Sequence, residues 1–367
     1  MRVLHVLSGD LWAGAEAQAF TLLTSLQRVG ELHVAAVLMN EGELAERLRT
    51  ANIEVRVLPE SSLSSFQIVL RLRKLISEWR PDIVHTHRTK EDILGSIANR
   101  FSINAPCLRT THGAMEHPPR GVGQRLRRFA DRWCGRRLQL RIIAVSEELA
   151  RKLGDEFPRE KIVTIENGVD IDGIRSRVQA VDFRESDPNS LHVGIVGRLV
   201  AVKRIDLFLE TARALQTQRP ELRWRFHVFG EGPLGDTLER QASELGIRGA
   251  VTFHGMRKDI TPCIAGLDAL VICSDHEGLP MVLLEALATS TLVVARGLGG
   301  IRKVLETSGC GVIVERHDPG AYAEALLGAL ASGDRRASVP GESFSRMYSS
   351  ARNAERIHTL YRSVGKP

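Results

Sequence analysis

Residues 269–288 read Ala269-Leu270-Val271-Ile272-Cys273-Ser274-Asp275-His276-Glu277-Gly278-Leu279-Pro280-Met281-Val282-Leu283-Leu284-Glu285-Ala286-Leu287-Ala288, with two carboxylates eight residues apart around a strand-to-helix turn. The run 269–273 is short, apolar and rich in β-formers, as expected of a strand buried in a parallel sheet. A helix is expected from Pro280 onward, with Pro280 as its first residue, because a fixed φ suits the first turn and the missing N–H has no partner there. Glu277 and Gly278 then fall in the loop at the strand's carboxyl end, where α/β proteins bind ligands. Glu285 lies among Val282, Leu283, Leu284, Ala286, Leu287 and Ala288, so an unpaired charge there would be expensive. One reading pairs Glu285 with a core arginine and leaves Glu277 as a solvated loop residue. The other has both carboxylates accept hydrogen bonds from vicinal hydroxyls while the amides after Gly278 receive an anion, and the small glycine and the free helix start favour it.

Outward from this segment, apolar β-rich runs alternate with helical patterns along the whole chain, which predicts α/β architecture with parallel sheets. Candidate strands in the first half are 2–7, 33–38, 54–58, 83–87, 107–111, 141–145 and 161–165. The alternation restarts after a polar stretch at 182–190 with strands at 192–196, 225–229, 251–254, 269–273, 292–295 and 312–314. Two Rossmann-like domains are therefore expected, 1–172 and 190–342, facing across a cleft, with 170–190 as the connection. The tail 343–367 has helical spacing with no strand after it and is expected to cross back as one helix to the first domain. A length of 367 residues suits two domains.

Composition narrows the classes. Hydrophobic content of 43% and charged content of 26% describe an ordinary globular chain. No apolar run reaches the ~18 residues needed to cross a bilayer, the opening segment is too short for a signal peptide, and a cytoplasmic location is expected. Five scattered cysteines, odd in number and without a C-x-x-C pair, suggest neither disulfides nor a zinc site. The net charge of +6 is densest in 120–141 (RGVGQRLRRFADRWCGRRLQLR), where eight arginines, Arg120 and Arg141 outermost, face the single acid Asp131. Leu126, Phe129, Ala130 and Trp133 recur there at helical spacing, the pattern of a basic amphipathic helix. Such a helix either docks on an anionic membrane surface or packs its apolar stripe on the core of the first domain. Nucleic acid is the weaker partner, because no nucleic-acid motif accompanies the charge and aromatic content is 5%.

The other loops at strand ends carry the remaining candidates. After the first strand comes Ser8-Gly9-Asp10-Leu11-Trp12-Ala13-Gly14-Ala15-Glu16, with glycines spaced as in a phosphate loop but Ala15-Glu16 where Lys-Ser/Thr would be required. It is not G-x-G-x-x-G either, which disfavours a dehydrogenase. His112-Gly113 ends the strand 107–111; the histidine is either a structural hydrogen bonder or a substrate contact. The strand 192–196 runs into Gly197-Arg198-Leu199-Val200-Ala201-Val202-Lys203-Arg204. Arg198 as a fork and Lys203 as a point charge could converge on a diphosphate, or both could be solvated. Gly230-Glu231-Gly232-Pro233 follows the next strand in the same way. The D-x-D pattern Asp170-Ile171-Asp172 reads as a cap or turn, and no metal and no cofactor are expected.

Together Gly14-Ala15-Glu16, Thr111-His112-Gly113, Ala144-Val145-Ser146, Asn167-Gly168-Val169-Asp170, Gly197-Arg198-Leu199, Lys203, Gly230-Glu231-Gly232-Pro233, Glu277-Gly278-Leu279-Pro280 with Glu285, and Gly299-Gly300 resemble the family 4 (group 1) retaining glycosyltransferases of GT-B fold. The resemblance spans nearly the whole chain in order. It implies a nucleotide-sugar donor held mainly by the second domain and a glycan or lipid-linked acceptor by the first. It further implies that Arg198 and Lys203 neutralise the diphosphate leaving group and Glu285 holds the ribose hydroxyls. Glu277 would then hold the donor-sugar hydroxyls, and Gly278, Leu279, Pro280 and Met281 would offer amides or contacts. His112 would contact the donor sugar from the opposite domain, the loop from Gly14 to Glu16 would close over phosphates or acceptor, and Gly197 and Gly230 would line the donor site. The sequence departs from the family at Ala13, often glycine, and at Arg302-Lys303, often Pro-Glu.

The expected activity is metal-independent retaining transfer in cell-surface polysaccharide or glycolipid synthesis, with possible peripheral docking through 120–141. A sugar-nucleotide 2-epimerase of the same architecture and a non-catalytic nucleotide-sugar-binding protein are the alternatives.

Overall fold

The computed structural model describes residues 1–113, 121–185, 187–331 and 340–365. The first unit opens with β1 (Arg2–Leu7), α1 (Gly14–Arg28), β2 (His33–Leu38), α2 (Glu43–Thr50), β3 (Glu54–Val57), α3 (Ser65–Trp79) and β4 (Ile83–His87). It continues through α4 (Thr89–Arg100), β5 (Cys107–Thr111), α5 (Val122–Arg137), β6 (Arg141–Ala144), α6 (Glu147–Leu153) and β7 (Ile162–Thr164). The second unit contains α7 (Ile171–Arg177), β8 (Ser190–Val196), α8 (Ile205–Gln218), β9 (Arg223–Phe229), α9 (Gly235–Glu244), β10 (Val251–Phe253) and α10 (Thr261–Gly266). After these come β11 (Ala269–Ile272), α11 (Met281–Ala288), β12 (Leu292–Arg296), α12 (Ile301–Ser308), β13 (Val312–Val314), α13 (Pro319–Ala331) and α14 (Glu342–Tyr348). The last helix, α15 (Ser350–Val364), returns to the first unit.

All thirteen expected strands are present and pair in parallel. The first sheet has the order β3-β2-β1-β4-β5-β6-β7 and the second β10-β9-β8-β11-β12-β13. In each, strand order reverses once beside the first strand, between β1 and β4 and between β8 and β11. The connecting loops diverge there and leave an opening at the carboxyl ends, which is where ligands bind in such sheets. Helices on both faces explain the continuously apolar strands. In the first unit one core lies under α1, α2 and α15 (Leu22, Leu26, Leu48, Ile357) and a second under α3 and α4 (Ile68, Leu72, Ile76, Ala98). The second unit has Phe208, Leu215, Trp224, Phe226, Val271 and Tyr322 in one continuous core.

The boundaries differ from expectation. The first unit comprises Met1–Gly168 and Ser350–Pro367, the second Val169–Ser349. The stretch 170–190 is part of the second unit because its residues are anchored there: Val181 donates to the Pro262 carbonyl at 2.9 Å, Arg184 pairs with Asp268, and the Phe183 ring packs, tilted, against His227. The tail is two helices rather than one. Ser349 is extended (ψ 146°) and bridges Val169, so α14 stays with the second unit and only α15 packs on the first. Asp170 of the D-x-D pattern caps α7, accepting from the Gly173 amide at 3.1 Å and pairing with Arg177 at 2.9 Å.

Candidate active site

In the second unit the site grows from the carboxyl ends of β8 and β11. After β8 the chain passes Gly197 and Arg198 into a single 3-10 turn, Ala201–Lys203, and Arg204 at φ 51° redirects it into α8. After β11 the Asp275 amide donates to the Val202 carbonyl at 2.8 Å, which ties the two loops together. Lys203 Nζ thereby reaches Glu277 Oε1 at 2.6 Å, with side-chain exposures of 27% and 9%. Lys203 and Glu277, both candidates from the sequence, are thus in contact at this end of the sheet. Arg198 is exposed at the end of β8.

Pro280 is the N-cap rather than the first helical residue, since its ψ of 134° is extended and α11 starts at Met281. The correction is one residue and has a local cause. An extended ψ turns the chain into the helix while the Pro280 carbonyl already accepts from the Leu283 amide at 3.3 Å. Gly278 and Leu279 are buried against the loop after β12, where the Gly300 amide donates to the Gly278 carbonyl at 2.7 Å. Gly299 sits at φ 57°, and a Cβ there would lie 2.3 Å from the carbonyl oxygens of Glu277 and Gly278, so only glycine permits the approach. Arg302, one of the departures from the family pattern, points to the surface and pairs with Glu315 at 2.9 Å.

Glu285 does not pair with a core arginine. Its Oε2 is buried with no hydrogen-bond partner among the described residues, and burial, with Asp259 adding repulsion, raises its pKa to about 7. An orphaned buried acceptor is expensive unless a ligand hydroxyl fills it. Gly230 has a structural reason to be glycine: φ is +133°, and a Cβ would lie 2.0 Å from the Gly197 carbonyl oxygen. Sequence reasoning missed Arg296 and His317. They gather with Arg204 around Asp275 at 3.9, 3.2 and 3.4 Å, which brings a second arginine and an imidazole to the same strand ends. The signal was present in Arg296, the last residue of β12.

In the first unit, Gly14 and Glu16 belong to the first turn of α1, not to a free loop. Glu16 is buried and its carboxylate meets Arg88 at 2.5 Å, with the second oxygen, Oε2, unpartnered among the described residues. Burial raises its pKa despite the guanidinium. Arg88 was missed; it follows β4 at φ 81° and also approaches Asp10 at 3.9 Å, so β1 and β4 meet through an ion pair at their own strand-order reversal. A Cβ on Gly14 would meet open space, so packing does not require glycine there.

His112 directly follows β5, and its Nε2 lies 3.3 Å from His87 Nδ1. Burial and then Arg88 lower its pKa to about 4, so it is neutral at physiological pH. Behind it His5, His85 and His87 carry ring nitrogens within 4.8 Å of one another, a metal-ligand spacing. All six of those nitrogens already face partners: one another, Tyr361, Thr110 or His112.

The basic helix α5 presents a different face from the one a core-packed stripe requires. Val122, Leu126, Phe129 and Trp133 are exposed, the middle two at 67% and 68%. The inward face is Asp131, Cys134 and Gly135. Asp131 is held by buried Arg109 at 2.7 Å, and Arg128 and Arg132 pair with Glu156, which fixes the helix's rotation. Arg120 lies outside the described residues. No helix among the described residues is long and apolar enough to cross a membrane.

Two parallel α/β units, each with charged groups at its strand-order reversal, have the architecture of the GT-B fold. Residues 12–172 match the Glycosyltransferase Family 4 model and 190–332 the Glycosyl transferases group 1 model, and the chain belongs to this glycosyltransferase family. The UDP-Gal:alpha-D-GlcNAc-diphosphoundecaprenol alpha-1,3-galactosyltransferase of Escherichia coli is 25% identical over 336 residues, 85% of this chain and 86% of that one. A D-inositol 3-phosphate glycosyltransferase of Mycolicibacterium smegmatis is 28% identical over 346 residues, covering 86% and 75%. The crystal structure of Anabaena HepE in complex with UDP-glucose superposes with a TM-score of 0.83 at 19% identity, covering 99% of this chain and all of that one.

Proposed function

We propose that this glycosyltransferase moves a hexose from a uridine diphosphate sugar to a lipid-linked glycan, with retention at the anomeric carbon and without a metal ion. The observation that carries the donor site is the Lys203–Glu277 contact of 2.6 Å beside a helix that bears a buried, unpartnered Glu285 oxygen. In this reading Lys203 leaves Glu277 for the diphosphate when donor binds, and Arg198 joins it. Glu277 then accepts from sugar hydroxyls, the α11 first-turn amides meet phosphate or sugar oxygens, and Glu285 accepts from the ribose. His112, held neutral, is proposed to contact the donor sugar. As the anomeric bond breaks, negative charge grows on the diphosphate, and preorganised cations and amides stabilise it as it forms. The acceptor proton passes to the departing phosphate oxygen, so no protein base is required.

Uridine is supported by the names of the Escherichia coli relative and of the Anabaena complex, and the lipid diphosphate acceptor by the former. The exposed Leu126, Phe129 and Trp133, flanked by exposed Arg125, Arg127, Arg136 and Arg137, support docking on an anionic membrane surface where such an acceptor resides. Neither family model nor named relative favours the epimerase or the non-catalytic reading.

The test is transfer from UDP-glucose, UDP-galactose and UDP-N-acetylglucosamine, in EDTA, to undecaprenyl-diphosphate-linked sugar in anionic vesicles, with the product's anomeric configuration read by NMR. An α-linked product formed in EDTA is expected. A β-linked product, a requirement for metal, or isomerised donor without acceptor would each reject the corresponding part.

A further inference from the structure

We infer that Tyr361 and Thr110 are positioning residues that fix His112 in one neutral tautomer through a chain of hydrogen bonds running His112, His87, His5, Tyr361, His85, Thr110. The chain is laid out by strand geometry. His5 on β1 lies in register with His85 on β4, His87 is two residues further on the same face, and Thr110 pairs in register with His87 from β5. Tyr361 of α15 enters from above that face, fully buried.

The successive contacts are His112 Nε2 to His87 Nδ1 at 3.3 Å, His87 Nε2 to His5 Nδ1 at 3.0 Å and His5 Nε2 to the Tyr361 hydroxyl at 3.3 Å. From there the Tyr361 hydroxyl meets His85 Nδ1 at 2.5 Å and His85 Nε2 meets the Thr110 hydroxyl at 2.8 Å.

A neutral imidazole has one N–H and one lone pair. Tyr361 has one proton to give, so only two arrangements satisfy all five contacts and also use that proton: every proton points toward Thr110, or every proton points toward His112; were Tyr361 to accept from both His5 and His85, its own buried proton would be left unpaired. Intermediate arrangements leave a buried group unpaired, which is costly. The Tyr361 contacts select between the two. The Tyr361 hydroxyl lies 2.5 Å from His85 Nδ1 and 3.3 Å from His5 Nε2, and the shorter contact is the one expected of an O–H donor, since O–H hydrogen bonds run shorter than N–H hydrogen bonds. Tyr361 therefore donates to His85 and accepts from His5. Following the chain back, His5 is the Nε2–H form, His87 is the Nε2–H form, and His112 carries its proton on Nε2, leaving Nδ1 as an acceptor. His85 is Nε2–H and donates to Thr110.

Burial, joined by the Arg88 cation, lowers the pKa of His87 and His112, and burial with the other imidazoles does so for His5 and His85, so the chain stays neutral. If His112 contacts the donor sugar, as proposed above, it does so as a hydrogen-bond acceptor for a sugar hydroxyl. Only this consequence rests on that reading; the chain itself does not.

The test is the two-bond ¹⁵N–¹H spectrum of the full chain labelled with ¹⁵N-histidine at pH 7.5, with His112 assigned by comparison with His112→Gln. The expected result is a single Nε2–H tautomer for His112. In Tyr361→Phe the donor to His85 and the acceptor for His5 vanish together, and the His112 resonances shift toward a tautomer mixture. The Thr110→Val variant, cut at the far end, shifts the His85 resonances first. An Nδ1–H or mixed His112 in the wild type, or an unchanged single tautomer in Tyr361→Phe, overturns the inference, and the wild-type spectrum decides even if the variants fold poorly. Unchanged turnover in His112→Ala would instead remove His112 from the donor sugar and leave the spectra to judge the chain.

Discussion

Replacing Glu285 with glutamine should make the protein more stable and less active at once. Burial, then Asp259, pushes this carboxyl from 4.5 up to about 7. At about 1.36 kcal/mol per pH unit, the shift corresponds to roughly 3 kcal/mol. The sign follows from proton counting. Between about 4.5 and 7 the folded chain keeps a proton that the unfolded chain has released, so stability falls as pH rises through that window, and the full penalty is present above it. Glutamine cannot ionise and can place its amide oxygen where Oε2 sits. The gain should therefore be near zero at pH 4.5 and rise to about 1–3 kcal/mol at pH 8, the upper figure applying if no water relieves the carboxylate. Urea unfolding of both proteins at the two pH values measures this as a difference in midpoint at constant slope. Turnover with a UDP-sugar should fall at the same time, because the amide keeps one acceptor oxygen but puts an NH2 donor in place of the other, and so cannot accept from both of the vicinal hydroxyls that the proposed donor site assigns to Glu285. Equal stabilities at pH 8, or a gain that does not shrink toward pH 4.5, would refute the reasoning.

Lys203→Ala should lower kcat by about 10²- to 10³-fold, as removing a charge-stabilising donor does in other enzymes, and steady-state kinetics at saturating donor will show it. Gly230→Ala should destabilise the second unit by on the order of 3 kcal/mol, because φ +133° and the 2.0 Å approach to Gly197 forbid a Cβ; urea midpoints measure this. Replacing Leu126, Phe129 and Trp133 together by serine should abolish sedimentation with vesicles containing anionic lipid while leaving the melting temperature within a few degrees, since these side chains are exposed. Salt-insensitive binding to neutral and anionic vesicles alike would defeat the electrostatic part.

Much of this was legible in the sequence for identifiable reasons. A strand buried on both faces is mostly apolar, and ALVIC or RVLHVL leaves few alternatives, so all thirteen strands could be placed within a few residues. Glu277 and Lys203 could be named because the ends of parallel strands are where α/β chains hold ligands, and the structure joins them. What periodicity cannot state is which side of a helix packs. The spacing of α5 is amphipathic, yet its apolar residues face outward because the buried Arg109 captures Asp131, a contact across 22 residues. The histidine chain was hidden for a similar reason. His5 lies far from His85 and His87 in sequence, and Tyr361 farther still; sheet register brings the histidines together and the packing of α15 adds Tyr361. Arg88 gave no signal because its role depends on a positive φ, and the unit boundaries were missed because the polar stretch after 170 is held by Arg184 and Phe183.

The account stands most directly on whether the loops after β8 and β11 hold a nucleoside diphosphate. Thermal unfolding of the wild type, Lys203→Ala and Glu285→Gln with and without UDP in EDTA measures it. At 100 times its dissociation constant UDP should stabilise the wild type by about 2.7 kcal/mol, and each variant by clearly less at the same concentration. No stabilisation of the wild type, or equal stabilisation of all three, would contradict the assignment.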